Sequence, residues 1–205
     1  MNEKLDGPPI SGEYEEILFD LPEPWRGQVW HYVKFITKNG LEWVGGFREK
    51  DSHNFLVAEI ENKGIVCVVS GGHGYIIDIE RKKKIKDIET DTILDLAVDQ
   101  ETESFYISRW WDLKLVDNEF NEIDIQVPID CDGIFFKEMD GRELNLKIEE
   151  IGAGLTKNRN YYVDLDERKI KKRSTTMLKS NGRESSKLEV KTIKRHKSWL
   201  KGLWS

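Results

Sequence analysis

Hydrophobic and polar residues alternate along most of this chain with the two-residue period of half-buried strands, not the 3.6-residue period of helices. The first clear stretch is Val29-Trp30-His31-Tyr32-Val33-Lys34-Phe35-Ile36, which meets Leu41-Glu42-Trp43-Val44 across Thr37-Lys38-Asn39-Gly40. Asn-Gly between two β-rich runs predicts a hairpin with a type I′ turn, since both residues tolerate a positive φ. Further along, strand-like segments recur in threes. Segments 55–60, 65–70 and 75–80 make one unit, 93–99, 104–108 and 113–117 a second, and 133–137, 143–148 and 161–165 a third. Each unit closes on the same phrase: Asp78, Asp117 and Asp164 lead to Ile85, Ile123 and Ile170.

This order resembles the blades of a β-propeller, in which each unit is a small antiparallel sheet of about four strands. The resemblance implies an all-β fold with little helix, its sheets stacked face to face because one sheet alone leaves a hydrophobic face bare. Three units fall short of the roughly four blades that the smallest closed propellers need. The hairpin at 29–44 is the candidate fourth blade, and the alternating segment 187–194 its closing strand. The other solution is a partial propeller, an open and twisted arc of sheets. The expected organisation is a loosely ordered lead-in over 1–24 with one short strand at 17–20, a repeated β domain over 25–173, and a basic C-terminal segment over 174–205.

Charge sharpens this picture. The net charge of -6 hides a division: residues 168–205 hold 13 Lys/Arg against 2 Asp/Glu, and residues 1–167 hold 19 against 36. An acidic body attracts basic partners and repels phosphates, so nucleic acid is not an expected partner. The basic end has two readings, a surface for another molecule or a neutralising cover for its own body. No apolar run approaches the ~20 residues of a membrane span. The first residues lack the apolar core of a secretory signal, so a cytoplasmic location is expected, with no membrane partner.

Candidate chemistry is sparse. Gly71-Gly72-His73-Gly74 has the glycine density of a phosphate cradle, but such cradles precede a helix, and here another strand follows at Tyr75. A tight inter-strand turn is expected, with His73 exposed between its glycines. His31, His53, His73 and His196 share no ligand spacing, and Cys67 and Cys131 read as small buried hydrophobes. Gly-x-Ser-x-Gly is absent. No catalytic set, metal site or cofactor is expected.

Two features point to a partner. Asp91, Asp95 and Asp99, near Asp87 and Glu89, surround the start of the second unit, and Asp130 and Asp132 stand at the start of the third. Radial stacking would gather these strand starts into an acidic rim for a cationic surface or calcium; the alternative is turn capping. The second feature is Arg109-Trp110-Trp111-Asp112. Adjacent side chains of an extended segment point to opposite faces, so at least one tryptophan reaches solvent or a partner unless both wedge between sheets.

Size, acidity, the missing signal and the β-rich pattern together make a profile similar to that of bacterial immunity proteins, which neutralise a co-produced toxin in the cytoplasm. That resemblance implies a non-catalytic inhibitor that captures a basic toxin, or another basic protein, through its acidic face. The alternatives are a metal-dependent hydrolase or lyase on a propeller-like scaffold, and an interaction scaffold of some other assembly.

Overall fold

Strand alternation is realised as four sheets of four strands. The computed structural model describes residues 2–21, 29–50, 54–88, 92–151 and 157–173, with backbone alone for 157–159. Blade 1 comprises β1 (Glu3–Leu5), β2 (Glu15–Phe19), β3 (Trp30–Ile36) and β4 (Glu42–Arg48), and blade 2 comprises β5 (Phe55–Ile60), β6 (Ile65–Ser70), β7 (His73–Asp78) and β8 (Lys83–Ile88). Blade 3 holds β9 (Asp95–Asp99), β10 (Ser104–Ser108), β11 (Leu113–Val116) and β12 (Glu122–Ile125). Blade 4 holds β13 (Cys131–Asp140), β14 (Glu143–Glu150), β15 (Lys157–Asp164) and β16 (Lys169–Lys172). No helix occurs among the described residues. The protein is all-β and propeller-like.

Blades 2, 3 and 4 are antiparallel meanders that run from an inner first strand to an outer fourth. β9 touches both β5 and β13, so the first strands line the inside. Buried side chains fill the three seams. Phe35, Trp43 and Phe47 meet Val68 and Tyr75 between blades 1 and 2. Cys67, Val69 and Ile76 meet Phe105 and Ile107 between blades 2 and 3. Leu113 and Leu115 meet Ile134, Leu146 and Tyr161 between blades 3 and 4. Full burial of each large apolar side chain contributes roughly 1.5–3 kcal/mol, so the seams hold the arc together.

The repeated aspartate is a turn device. Asp78 accepts the backbone N–H of Arg81, Asp117 those of Glu119 and Asn121, and Asp164 those of Asp166 and Glu167. Each turn then passes through a positive φ, at Lys82 (55°), Phe120 (66°) and Arg168 (55°). The left-handed residue is costly for a side chain with a Cβ, and the aspartate's hydrogen bonds offset that cost. Asp99 belongs to the same class, bonded to the N–H of Glu101 ahead of Glu103 at φ 53°.

Blade 1 is built differently. Its spatial order is β1-β3-β4-β2, with β2 parallel to β4. The hairpin at 29–44 does make a fourth blade, but β1 and β2 occupy both of its flanks; both come from the expected lead-in, where β2 is the short strand expected at 17–20 and β1 was not expected. Ile17 and Phe19 of β2 add to the seam with blade 2, and β1 joins the sheet through its backbone pairing with β3. Segment 187–194 lies outside the described residues, and the hairpin needs no closing strand. The hairpin turn also differs from expectation. Only Gly40 takes a positive φ (78°), and Thr37 bonds Leu41 at both backbone and hydroxyl, giving a five-residue loop over 37–41.

Blade 1 is also inverted relative to its neighbour. Across the seam His31 meets Ser70 and Lys38 meets Asn62, so β3 runs opposite to β6. Across the next seam Asn54 meets Ile93 while Glu61 meets Gln100, so β5 and β9 run the same way. The β6–β7 and β10–β11 turns therefore share one end of the arc, and the β3–β4 turn lies at the other.

Since Lys169, Lys171 and Lys172 form the outer strand of blade 4, the charge division moves. The compact unit ends at Arg173. Residues 1–173 hold 24 Lys/Arg against 36 Asp/Glu, a charge of -12, and residues 174–205 hold 8 against 2, or +6.

A tryptophan-tipped hairpin as candidate interaction site

β10 and β11 pair as far as Ser108 and Leu113, leaving the four residues Arg109, Trp110, Trp111 and Asp112 as the hairpin tip. The Arg109 N–H donates to the Asp112 carbonyl at 2.9 Å, and the guanidinium holds the Asp112 carboxylate in a bidentate pair. The turn is thereby closed at its neck. Neither tryptophan can fold back into a seam from the centre of so short a loop, and both are open to solvent: Trp110 is 41% exposed and Trp111 59%.

The start of blade 4 lies beside this tip. The Cys131 thiol donates to the Trp110 carbonyl, and the carbonyl of Asp130 accepts the N–H of Ile151. Burial pushes the Cys131 thiol pKa up, the Gly133 N–H opposes that, and the carboxylates of Asp112, Asp130 and Asp132 push it further up. Those three acids therefore act on one place. Ile151, 58% exposed, adds apolar surface there. It was not anticipated, although a signal exists: Leu144, Leu146 and Ile148 face the seam at even positions, and Ile151 falls out of that phase.

Other expected site residues are used internally. The Asp95 carboxylate accepts the N–H of Leu96 and, across the seam, that of Phe136 at 2.8 Å. Asp99, at the far end of β9 from the tryptophans, is 2% exposed. It accepts hydrogen bonds from the Thr102 hydroxyl, the Glu101 N–H and Arg142 of blade 4. Burial raises its pKa, but those donors outweigh burial and hold it below the ordinary aspartate value. So β9 does not bring Asp95 and Asp99 together with Asp130 and Asp132. Asp91 lies outside the described residues. Asp87 is bound to His73 and Lys84.

His73 is buried, contrary to the expectation drawn from its glycines. Gly71 (φ 58°) and Gly72 (φ 83°) make a two-residue turn that pairs His73 with Ser70 inside the sheet. Its ring bonds Asp87 at 3.0 Å and meets Tyr75 edge-on. Burial lowers its pKa, partly opposed by Asp87. A second histidine stands opposite: His31 stacks on Phe55, bonds the Ser70 hydroxyl oxygen at 2.9 Å and approaches Glu49 at 3.8 Å. This has the order of a serine, histidine and carboxylate relay, but Ser70 is fully buried and donates its own proton to the Phe47 carbonyl. It is a strut across the seam between blades 1 and 2, with no path for a substrate to the hydroxyl.

Cys67 and Cys131 are buried free thiols, and burial pushes the Cys67 pKa up as well. Among the described residues no group of three or more His, Cys, Asp or Glu side chains is arranged to hold a metal ion. Nor is any helix there long and apolar enough to cross a membrane.

These features define an all-β protein of four blade-like sheets with an aromatic and acidic surface at one end. Among solved structures it is similar to the β-propeller domain of Cps50 (Swd1) from Myceliophteria thermophila, with a TM-score of 0.43 and 11% identity over 60% of this chain and 39% of that one. The chain thus matches about two fifths of the length of that domain, and the likeness carries nothing about function. No protein-family model and no curated protein matches the sequence.

Proposed function

We propose that this protein is a non-catalytic binding module that captures a basic protein through the Trp110–Trp111 hairpin tip and its neighbouring carboxylates. The observation that carries this reading is the pair of exposed tryptophans on a turn closed by the Arg109–Asp112 clamp. Two large aromatics held rigidly in solvent cost little entropy on binding, and indole surface is enriched at binding hot spots. Asp130 and Asp132 beside them, on a body of charge -12, favour a cationic partner and speed its approach. Arg109 and Asp112 hold the tip, and Asp95 and Asp99 hold blade 3 to blade 4. In its most specific form the partner is a basic toxin and the protein its immunity-type inhibitor.

Titration calorimetry of the intact chain against a panel of purified basic proteins, including any encoded beside its gene, tests this. Sub-micromolar binding by the wild type, lost in Trp111→Ala with the fold retained by circular dichroism, supports the reading. Equal binding by wild type and Trp111→Ala, or none by either, overturns it.

A further inference from the structure

The two ends of the arc do not match. Three seams each hold a buried apolar cluster, and among the described residues no such cluster joins blade 4 to blade 1. Among the described residues, each end blade therefore keeps one face that no other blade covers. Strand register assigns Tyr32, Lys34 and Ile36 of β3, with Glu42, Val44 and Gly46 of β4, to the open face of blade 1, where Val44 at its centre is already covered and the rim is exposed. Leu18 lies over Gly46 on that face and is 58% exposed. Its charges are four carboxylates, Glu3, Glu16, Asp20 and Glu42, against Lys34 and Arg48.

The open face of blade 4 is much richer in cations. Phe135, Asn145 and Tyr162 lie among five cations, Lys137, Lys147, Lys169, Lys171 and Arg173, with the carboxylates Asp140, Glu143, Glu149, Asp164 and Glu167. The outer strands show the same order. β2 reads EEILF, β8 KKIKDI, β12 EIDI and β16 KIKK: acidic, basic, acidic, basic. Ion pairs join the first three, Lys82 to Glu15 and Lys86 to Glu122. Continuing that alternation past basic blade 4 calls for an acidic outer strand, and blade 1 carries one.

We infer that the open faces bind a second copy of this chain head to tail, blade 4 of each copy against blade 1 of the other. A twofold arrangement completes both seams at once. It turns two arcs of four blades into a ring of eight, within the ~4–8 blades of closed propellers. The inference is independent of the tryptophan hairpin.

Light scattering on the eluting full chain, over a range of concentrations at low salt, is the first measurement. The expected mass is twice the 24.0 kDa of one chain, falling towards one chain as salt screens the faces. A single-chain mass at every concentration, or an open series of ever larger species, overturns the inference. The second measurement uses two exposed charge reversals, Lys147→Glu with Lys169→Glu on blade 4, and Glu16→Lys with Glu42→Lys on blade 1. Each variant alone should associate at least tenfold more weakly, since like charges then face each other. Mixed in equal amounts they should dimerise again, because both seams of the mixed pair unite opposite charges. A face that pairs with its own kind on another copy would leave one of the two variants associating as the wild type does, because each variant alters only one face; that result, or the absence of rescue, overturns the head-to-tail geometry.

Discussion

Blades 2 and 3 both turn at the same end of the arc between their second and third strands, yet the two tips do opposite things. The blade 2 tip is Gly71-Gly72, at positive φ and sealed by the next blade: the Ile93 N–H donates to the Gly72 carbonyl at 2.9 Å. A Cβ on Gly72 would lie 2.8 Å from the Thr92 methyl. The blade 3 tip keeps two indoles in water. Identical strand geometry supports either a structural joint or a display surface. The choice depends on whether the loop is short enough for the following blade to close over it. Two residues disappear under the neighbour, whereas four residues with a clamped neck stand clear.

That contrast can be broken first at blade 2. Gly72→Val forces a branched side chain into left-handed backbone against Thr92, and should lower unfolding free energy by about 3 kcal/mol in a denaturant titration. A change under about 0.5 kcal/mol, the range of ordinary surface substitutions, would show that the joint is not under tertiary constraint. Next, Trp111→Ala should weaken capture of the basic partner by about 2 kcal/mol, roughly thirtyfold, while moving stability by less than about 0.5 kcal/mol. If stability falls as it does for Gly72→Val, the blade 3 tip is a joint too. A smaller effect is expected at the carboxylates beside it. Asp130→Asn with Asp132→Asn should slow association several-fold and flatten its salt dependence, with little change in dissociation, as read by stopped flow.

The smallest difference is in pH. Burial holds the His73 pKa in the folded protein below its ordinary value of 6.5. Between those two values the unfolded chain binds more protons, so His73 contributes stability that is complete above 6.5 and declines as pH falls. His73→Gln should flatten that part of the stability profile, and an unchanged slope would exclude His73 as its source. Among the described residues no histidine stands at the blade 3 tip, so Trp111→Ala should leave the slope as it is in the wild type.

Much of the fold was legible in the residue pattern. Strand period, blade count once the 29–44 hairpin is included, and the recurrent Asp78, Asp117 and Asp164 all depend on local rules of alternation and turn chemistry. The short strand expected at 17–20 is β2, whereas β1 was harder to see because a strand of three residues has too few alternations to stand out from a loop. The inversion of blade 1 was invisible, since direction across a seam is set by side chains far apart in sequence, such as His31 with Ser70. Of the proposed site, Trp110 and Trp111 could be read from adjacency alone. The separation of Asp99 from Asp130 and Asp132 could not, because it depends on how far β13 overshoots β9.

The sequence by itself determined that this is an all-β chain of repeated blades with an acidic body, because alternation, turn residues and charge are local or additive. Only the tertiary structure decided which acids are tied down, which histidine is buried, which tip meets water and which face of each end blade stays open. Those outcomes follow from seam packing, where one residue's exposure depends on a neighbour dozens of positions away.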